Sequence, residues 1–245
     1  MVPIAMNWLP SSTHISVNNM YKLSQRLETI AGLVPEKAKV ADIGADHGYL
    51  SIFIEKTKNP EKIIACDINQ KPLLSAIGNI KKTDCKKIET RLSDGLQNIK
   101  SDEVDTVIIA GMGGEVISGI IGRAEWLKNE KYTLLLQPMT AAAHLRRFLY
   151  QNGFEIVFEK AVFDTGKIYS VIKAQYVGVL EQRNEAFFYC GKLNPNEKAD
   201  ADYIKKQLRI AKECRDSLKG VSEGQEKYNY YKNLVEELEK LLGEV

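Results

Sequence analysis

The chain has 245 residues, 44% hydrophobic and 27% charged, with a formal net charge of +2. No apolar run approaches the ~18 residues of a membrane span, and a balance so near neutrality argues neither for nor against a nucleic-acid partner. Cys66, Cys85, Cys190 and Cys214 lie far apart, without the paired spacing of a zinc site, which predicts reduced structural thiols in a cytoplasmic protein.

Residues 1–19 contain no Lys, Arg, Asp or Glu. They lack the basic start and longer apolar core of a secretory signal and read as a loose leader. Met20, Leu23, Leu27 and Ile30 recur at three- and four-residue spacing, predicting a helix that ends near Gly32. Five strand-like segments follow: KVADIGA, KIIACDI, IETRLSD, VDTVIIAG and YTLLLQP. All but the third are rich in Val, Ile, Leu and Ala without strict alternation, as in strands covered on both faces. Helical stretches are predicted at about 49–56, 72–82, 114–128 and 140–152. The alternation predicts an α/β fold with a doubly wound parallel sheet. FEIVFEKAVF and IYSVIKAQY, divided by DTGK, predict an antiparallel hairpin at the sheet's edge.

The composition changes after about residue 178. Two helices are predicted at about 198–219 and 222–243, divided by Gly220 and Gly224. Ile204, Leu208, Ala211 and Leu218 form one stripe, and Tyr231, Leu234, Leu238 and Leu241 the other. Facing stripes on a short connection predict an antiparallel helical hairpin of coiled-coil type. The chain thus divides into a leader (1–19), an α/β domain (20–178) and a hairpin domain (179–245). The first hairpin helix carries seven Lys or Arg against four acids. These charges either pair across the hairpin or, with Lys81, Lys82, Lys86 and Lys87, touch phosphates.

The chemistry concentrates at strand ends. Asp42-x-Gly44-x-Asp46-x-Gly48 bridges the first strand and the next helix. Glycine there lets a ligand approach the backbone, and the helix start offers free N–H groups. The spacing is not the G-x-G-x-x-G of a dinucleotide fold. It resembles the first motif of class I methyltransferases, which surrounds the amino-acid part of S-adenosylmethionine. The second strand ends in Cys66-Asp67-Ile68, an acid placed to accept ribose hydroxyls. The third ends in Ser93-Asp94-Gly95, suited to an adenine amino group. For each acid a helix cap or turn is the alternative. The fourth strand ends in IAGMGGE, where Ala110 and Gly111 would border the cofactor and Gly113 and Gly114 would leave room for a base. Gln137-Pro138 would supply another wall.

LSQRLETIA (23–31), ADIGADHGYL (41–50), CDINQKPLLSA (66–76), RLSDGL (91–96), IAGMGG (109–114), LQP (136–138) and GKIYSVI (166–172) together resemble the TrmK family. Those are bacterial tRNA (adenine(22)-N1)-methyltransferases that use S-adenosylmethionine. The resemblance implies a Rossmann-like class I fold from about Met20 to the C-terminus, a cytoplasmic enzyme and a tRNA substrate; the three scattered histidines and the lack of a Cys/His cluster imply no metal, and neither a membrane nor an obligate protein partner is expected. Asp46 becomes the catalytic candidate, a carboxylate beside the base where plain glycine loops have none. The competing reading is a cap on the helix beginning near His47. His47 itself would contact cofactor or base. Two other functions stay open: the same fold acting on a small molecule or protein, and a non-catalytic RNA-binding relative.

Overall fold

The computed structural model describes residues 22–179, 181–220 and 224–243, so the leader expected at 1–19 lies outside the described residues. Seven strands form one sheet: β1 Lys39–Ile43, β2 Lys62–Asp67, β3 Ile88–Leu92, β4 Thr106–Gly113, β5 Thr133–Thr140, β6 Phe154–Asp164 and β7 Lys167–Tyr176. Their order is β3-β2-β1-β4-β5-β7-β6. Only β7 runs against its neighbours.

The apolar strands are buried on both faces, as their composition predicts. Ala41, Ile43, Val107, Ile109, Leu134 and Leu136 point into one core, with α4 (Gly114–Gly122) and α5 (Ala142–Gln151). Val40, Ile108 and Leu135 point into the other, with α1 (Gln25–Leu33) and α2 (Tyr49–Lys58). A third helix on the sheet, α3 (Gln70–Lys81), packs beside β2 and β3. Alternate residues of one strand therefore serve opposite layers, the period-two signature of a pleated strand.

Several expectations need adjustment. The first helix begins at Gln25 rather than near Met20, although Leu23 is still buried ahead of it. The helix expected over 114–128 stops at Gly122, and a 3-10 turn, Glu125–Leu127, leads into β5. Lys81, Lys82, Lys86 and Lys87 join α3 to the start of β3, at the sheet edge opposite the strand carboxyl ends. Lys87 is moreover committed there, its Nζ donating to Asn59 Oδ1 and the Pro60 carbonyl. The β6–β7 connection is the expected tight turn. Thr165 (φ 46°) and Gly166 (φ 74°) both lie in the left-handed region, which a two-residue hairpin loop requires.

The C-terminal part contains a helix the periodicity did not reveal, α6 (Glu185–Cys190), followed by α7 (Lys198–Ser217) and α8 (Gln225–Leu242). The last two pack together as the predicted hairpin. Ile204, Leu208, Ala211, Leu234 and Leu238 lie in its core, and Val235 is buried where Leu241 was expected. That core is continuous with Ala161 of β6 and Ile168 of β7.

A wholly buried ion pair roots the hairpin on the sheet. Arg146 of α5 reaches Glu159 of β6 (Nη2–Oε1 2.7 Å), both side chains fully enclosed. Arg146 also donates to Ser170 Oγ and to the carbonyls of Phe188 and Tyr189 in α6. Burial works against the guanidinium's charge, but Glu159 outweighs it and holds Arg146 protonated. Asp200, near the start of α7, accepts the Ala161 N–H at 2.7 Å.

Candidate active site

The carboxyl ends of β1 and β4 flank the point where strand order reverses, the usual ligand crevice of an open α/β sheet. The β1–α2 turn is shaped by three left-handed residues in five: Gly44 (φ 76°), Asp46 (φ 49°) and Gly48 (φ 73°). The N–H groups of Gly44 and Ala45 both donate to the Cys66 carbonyl at 2.8 Å, fastening the turn to β2. A Cβ at Gly44 would meet only the flexible end of Met112, Cε at 2.2 Å, so it is the φ of 76° that calls for glycine.

Asp46 is not a helix cap. Gly48 occupies the N-cap position of α2, and no side chain caps it. A non-glycine residue in the left-handed region costs about 1–3 kcal/mol. The Asp46 side chain is 66% exposed, with its Oδ1 3.7 Å from His47 Nε2. The His47 ring is held on the other side, its Nδ1 2.7 Å from Ser75 Oγ, and it stacks on Tyr49.

Asp42 lies beneath the turn, buried, and accepts a hydrogen bond from Ser51 Oγ at 2.7 Å. Burial pushes its carboxyl up to about 6, while the Ser51 bond pulls the other way. Asp67, also buried, accepts the Asn69 N–H at 2.8 Å. Asp94 is paired with Arg123 of the α4 C-terminus, Nη2–Oδ1 3.0 Å.

Two cavities meet over these residues. The larger, about 750 Å³, is lined among others by Asp67, Ile68, Asp94, Gly95 and Arg123. The smaller, about 230 Å³, is lined by Asp42, His47, Tyr49 and Arg26. Gly44, Asp46, Ala110 and Gly111 line both. The acids expected at three strand ends are thus gathered with Asp46 at the junction. Other expected residues fall differently. Gly48 is buried against Ala76. Gly113 and Gly114 open α4 beside Thr140 and Ala141 and line neither cavity. Gln137 is fully enclosed, accepting from Arg26 and donating to the Pro138 carbonyl, and Pro138 is buried too.

Arg26, Met112 and Arg123 were not anticipated. Arg26 lies in the quoted LSQRLETIA segment, so a signal existed for it. None existed for Arg123.

The crevice fits an adenosyl group joined to an amino acid. The larger cavity offers carboxylates for a nucleoside's hydroxyl and amino donors, and the smaller offers charged groups for an amino-acid tail. Fold and site together define a Rossmann-like methyltransferase. The methyltransferase-domain family matches residues 23–172, and the chain belongs to that family. The expected likeness to TrmK enzymes is borne out. Over 158 residues the chain is 37% identical to the tRNA (adenine(22)-N(1))-methyltransferase of Bacillus subtilis, covering 64% of this chain and 66% of that protein. The crystal structure of B. subtilis TrmK superposes with a TM-score of 0.80 at 28% identity, covering 91% of this chain and 99% of that one. M. capricolum TrmK, solved with S-adenosylhomocysteine, gives 0.75 at 26% identity, covering 90% and 98%.

Proposed function

We propose that this protein transfers a methyl group from S-adenosylmethionine to N1 of adenine 22 in tRNA. One observation carries the reading: Asp46, held in a left-handed conformation, stands at the wall shared by two cavities in a methyltransferase fold. The Bacillus subtilis relative is named for that activity.

When bound, the cofactor supplies an electrophilic methyl group on a sulfonium. Asp67 and Asp94, which line the larger cavity, would hold its nucleoside part. N1 of neutral adenine already has a free lone pair, so the protein need not remove a proton before transfer. Positive charge develops on the adenine ring as the bond forms, and the Asp46 carboxylate stabilises it while accepting a hydrogen bond from the exocyclic amine. A left-handed backbone fixed by Gly44 and Gly48 presents that carboxylate without reorganisation. Met112, beside Gly44 in the larger cavity, helps exclude water. The non-catalytic alternative would predict a spoiled cofactor turn, whereas Asp42, Gly44, Asp67 and Asp94 are all in place.

N1 lies on the pairing edge, so the base must leave its stack, at roughly a few kcal/mol. Contacts elsewhere on the tRNA must offset this, and the α7 face supports that role. Arg209, Lys212 and Arg215 are engaged in ion pairs. Lys198, Lys205 and Lys206 form no salt bridge among the described residues, leaving them for phosphates. Among the described residues no helix is long and apolar enough to cross a membrane, and no cluster could hold a metal ion. A cytoplasmic location accords with a tRNA substrate.

The deciding experiment is methyl transfer from labelled S-adenosylmethionine to two tRNA transcripts, with adenine or guanine at position 22. Label in the first alone, recovered as 1-methyladenosine, is expected. Equal labelling of both would refute the position, and no labelling of either would refute the tRNA substrate.

A further inference from the structure

Neither the sheet nor the crevice gives a role to the outward face of α3. Between Asp67 and Asp84 the chain carries Lys71, Lys81 and Lys82 but no Asp or Glu. The helix buries Leu73 and Ala76. At 3.6 residues per turn, Lys71, Gly78 and Lys82 fall on the opposite side, with Leu74 and Lys81 along one flank. The three lysines are exposed, and their ammonium groups have no ion-pair or hydrogen-bond partner among the described residues. Leu74 is exposed beside them. Nearby cations are committed instead. Lys56 of α2 pairs with Asp84, Lys58 donates to the Gly32 carbonyl, and Lys87 is held by Asn59 and Pro60.

Packing inside the chain does not call for Gly78. It is absent from the residues of positive φ, and a Cβ built on it would meet nothing within 4 Å. Glycine in a helix interior costs stability relative to alanine. Set among lysines, it leaves the helix backbone open to close approach by something outside the chain.

The face leads away from the crevice. At the start of the helix Asn69 and Pro72 line the larger cavity, and Ser75 holds His47 beside Asp46. Lys82 follows about 16 Å beyond Lys71 at 1.5 Å per residue, a span matching several phosphates of one strand. In the sheet order α3 packs beside β2 and β3, whereas the α7–α8 hairpin is rooted on β6. Two faces bearing unpaired lysines therefore flank the crevice from opposite sides.

We propose that the outward face of α3 is a second tRNA-binding surface, on which Lys71, Lys81 and Lys82 take backbone phosphates and Gly78 lets the sugar-phosphate chain lie against the helix. This rests on the tRNA reading above. Cations without acids among them complement a polyanion, and contacts on both sides of the crevice hold the RNA while one base is lifted between them.

Filter binding of tRNA across a salt series is measured for the wild type, for the triple variant Lys71→Glu, Lys81→Glu, Lys82→Glu, for the matching triple Arg variant and for Gly78→Leu. Melting temperature and calorimetric S-adenosylmethionine binding serve as controls and should stay at wild-type values in the charge variants. The Glu variant should bind tRNA about tenfold to a hundredfold more weakly near 0.1 M salt, with the slope of log affinity against log salt reduced by about 2 to 3. The Arg variant should bind within a few-fold of the wild type, since phosphates accept either cation. Gly78→Leu enters open space, so it should melt no lower than the wild type yet lose tRNA affinity several-fold with its salt slope intact. Combined with Lys205→Glu and Lys206→Glu, the losses should multiply, because the two faces share no contacts. Unchanged tRNA affinity in the Glu variant would overturn the proposal and turn the face toward an acidic protein. A Gly78→Leu variant that binds as the wild type does would also overturn it, leaving only diffuse attraction. A wild type that binds no tRNA at all would instead refute the tRNA reading itself.

Discussion

Ser51 Oγ donates to Asp42 Oδ2 at 2.7 Å, and that bond alone lowers the cost of keeping a carboxylate in the floor of the site. Burial outweighs it and leaves the carboxyl titrating at about 6 instead of 3.8.

The folded state therefore holds this proton more tightly than the unfolded chain. The stabilisation is complete below pH about 4 and lost as pH rises through 6. Two pK units amount to about 3 kcal/mol at neutral pH. Asp42→Asn, which keeps an acceptor for Ser51, is expected to raise stability in urea unfolding at pH 7.5, with about half that gain at pH 5. Cofactor affinity should behave oppositely. It should fall about tenfold in the wild type between pH 7.5 and 5, as the ionised fraction falls, and be largely lost in the Asn variant. Calorimetric titrations at the two pH values check both.

Asp46 permits a separation of chemistry from folding. Asp46→Asn should leave cofactor affinity within a few-fold but slow single-turnover methyl transfer by about 10²–10³, the usual loss when a preorganised electrostatic partner is removed. Asp46→Gly should show the same kinetic loss and a higher melting temperature, because glycine relieves the φ of 49°. An Asn variant with normal turnover would take Asp46 out of the mechanism.

The Arg146–Glu159 pair should be intolerant of one-sided change. Glu159→Gln or Arg146→Met leaves an enclosed charge uncompensated, with an expected loss of about 3–5 kcal/mol in denaturant unfolding. Gly191→Ala should be damaging for a related reason. Its Cβ would fall 1.6 Å from Glu159 Oε2, on a residue already at φ 61°.

Charge reversal on the hairpin tests its contribution to tRNA binding more cleanly than deletion, which would strip the core from Ala161 and Ile168. Lys205→Glu with Lys206→Glu is expected to weaken tRNA binding and flatten its salt dependence by about one to two phosphate contacts. Melting temperature and cofactor affinity should stay unchanged. Filter binding across a salt series reads this directly.

Much of this arrangement is legible in the sequence because it is local. Strand composition, strand-end acids and the Thr165-Gly166 turn each declare themselves within a few residues. What the sequence conceals is long-range or too short to show a period. Arg26 acquires its meaning from Gln137 and Asp164, more than a hundred residues away. The burial of Gln137 follows from that same contact. α6, with six residues, is barely longer than one turn and a half. On α8 the core stripe runs through Leu234, Val235 and Leu238 with Leu242 packed against it, and that three-and-four spacing leaves Leu241 exposed.

The rooting of the hairpin by enclosed charges has a metrical consequence. An arm that covers the Arg146–Glu159 pair with Tyr203 and is tied to β6 by Asp200 cannot swing without exposing that pair and the Ala161 N–H, so its reach from the crevice is constant. On the proposed reading the enzyme then gauges its substrate like a caliper with one locked jaw. A tRNA whose folded shape brings position 22 to the crevice while its backbone meets α7 fits as it stands. One lengthened or shortened between those two points would present the adenine out of register, whatever its sequence.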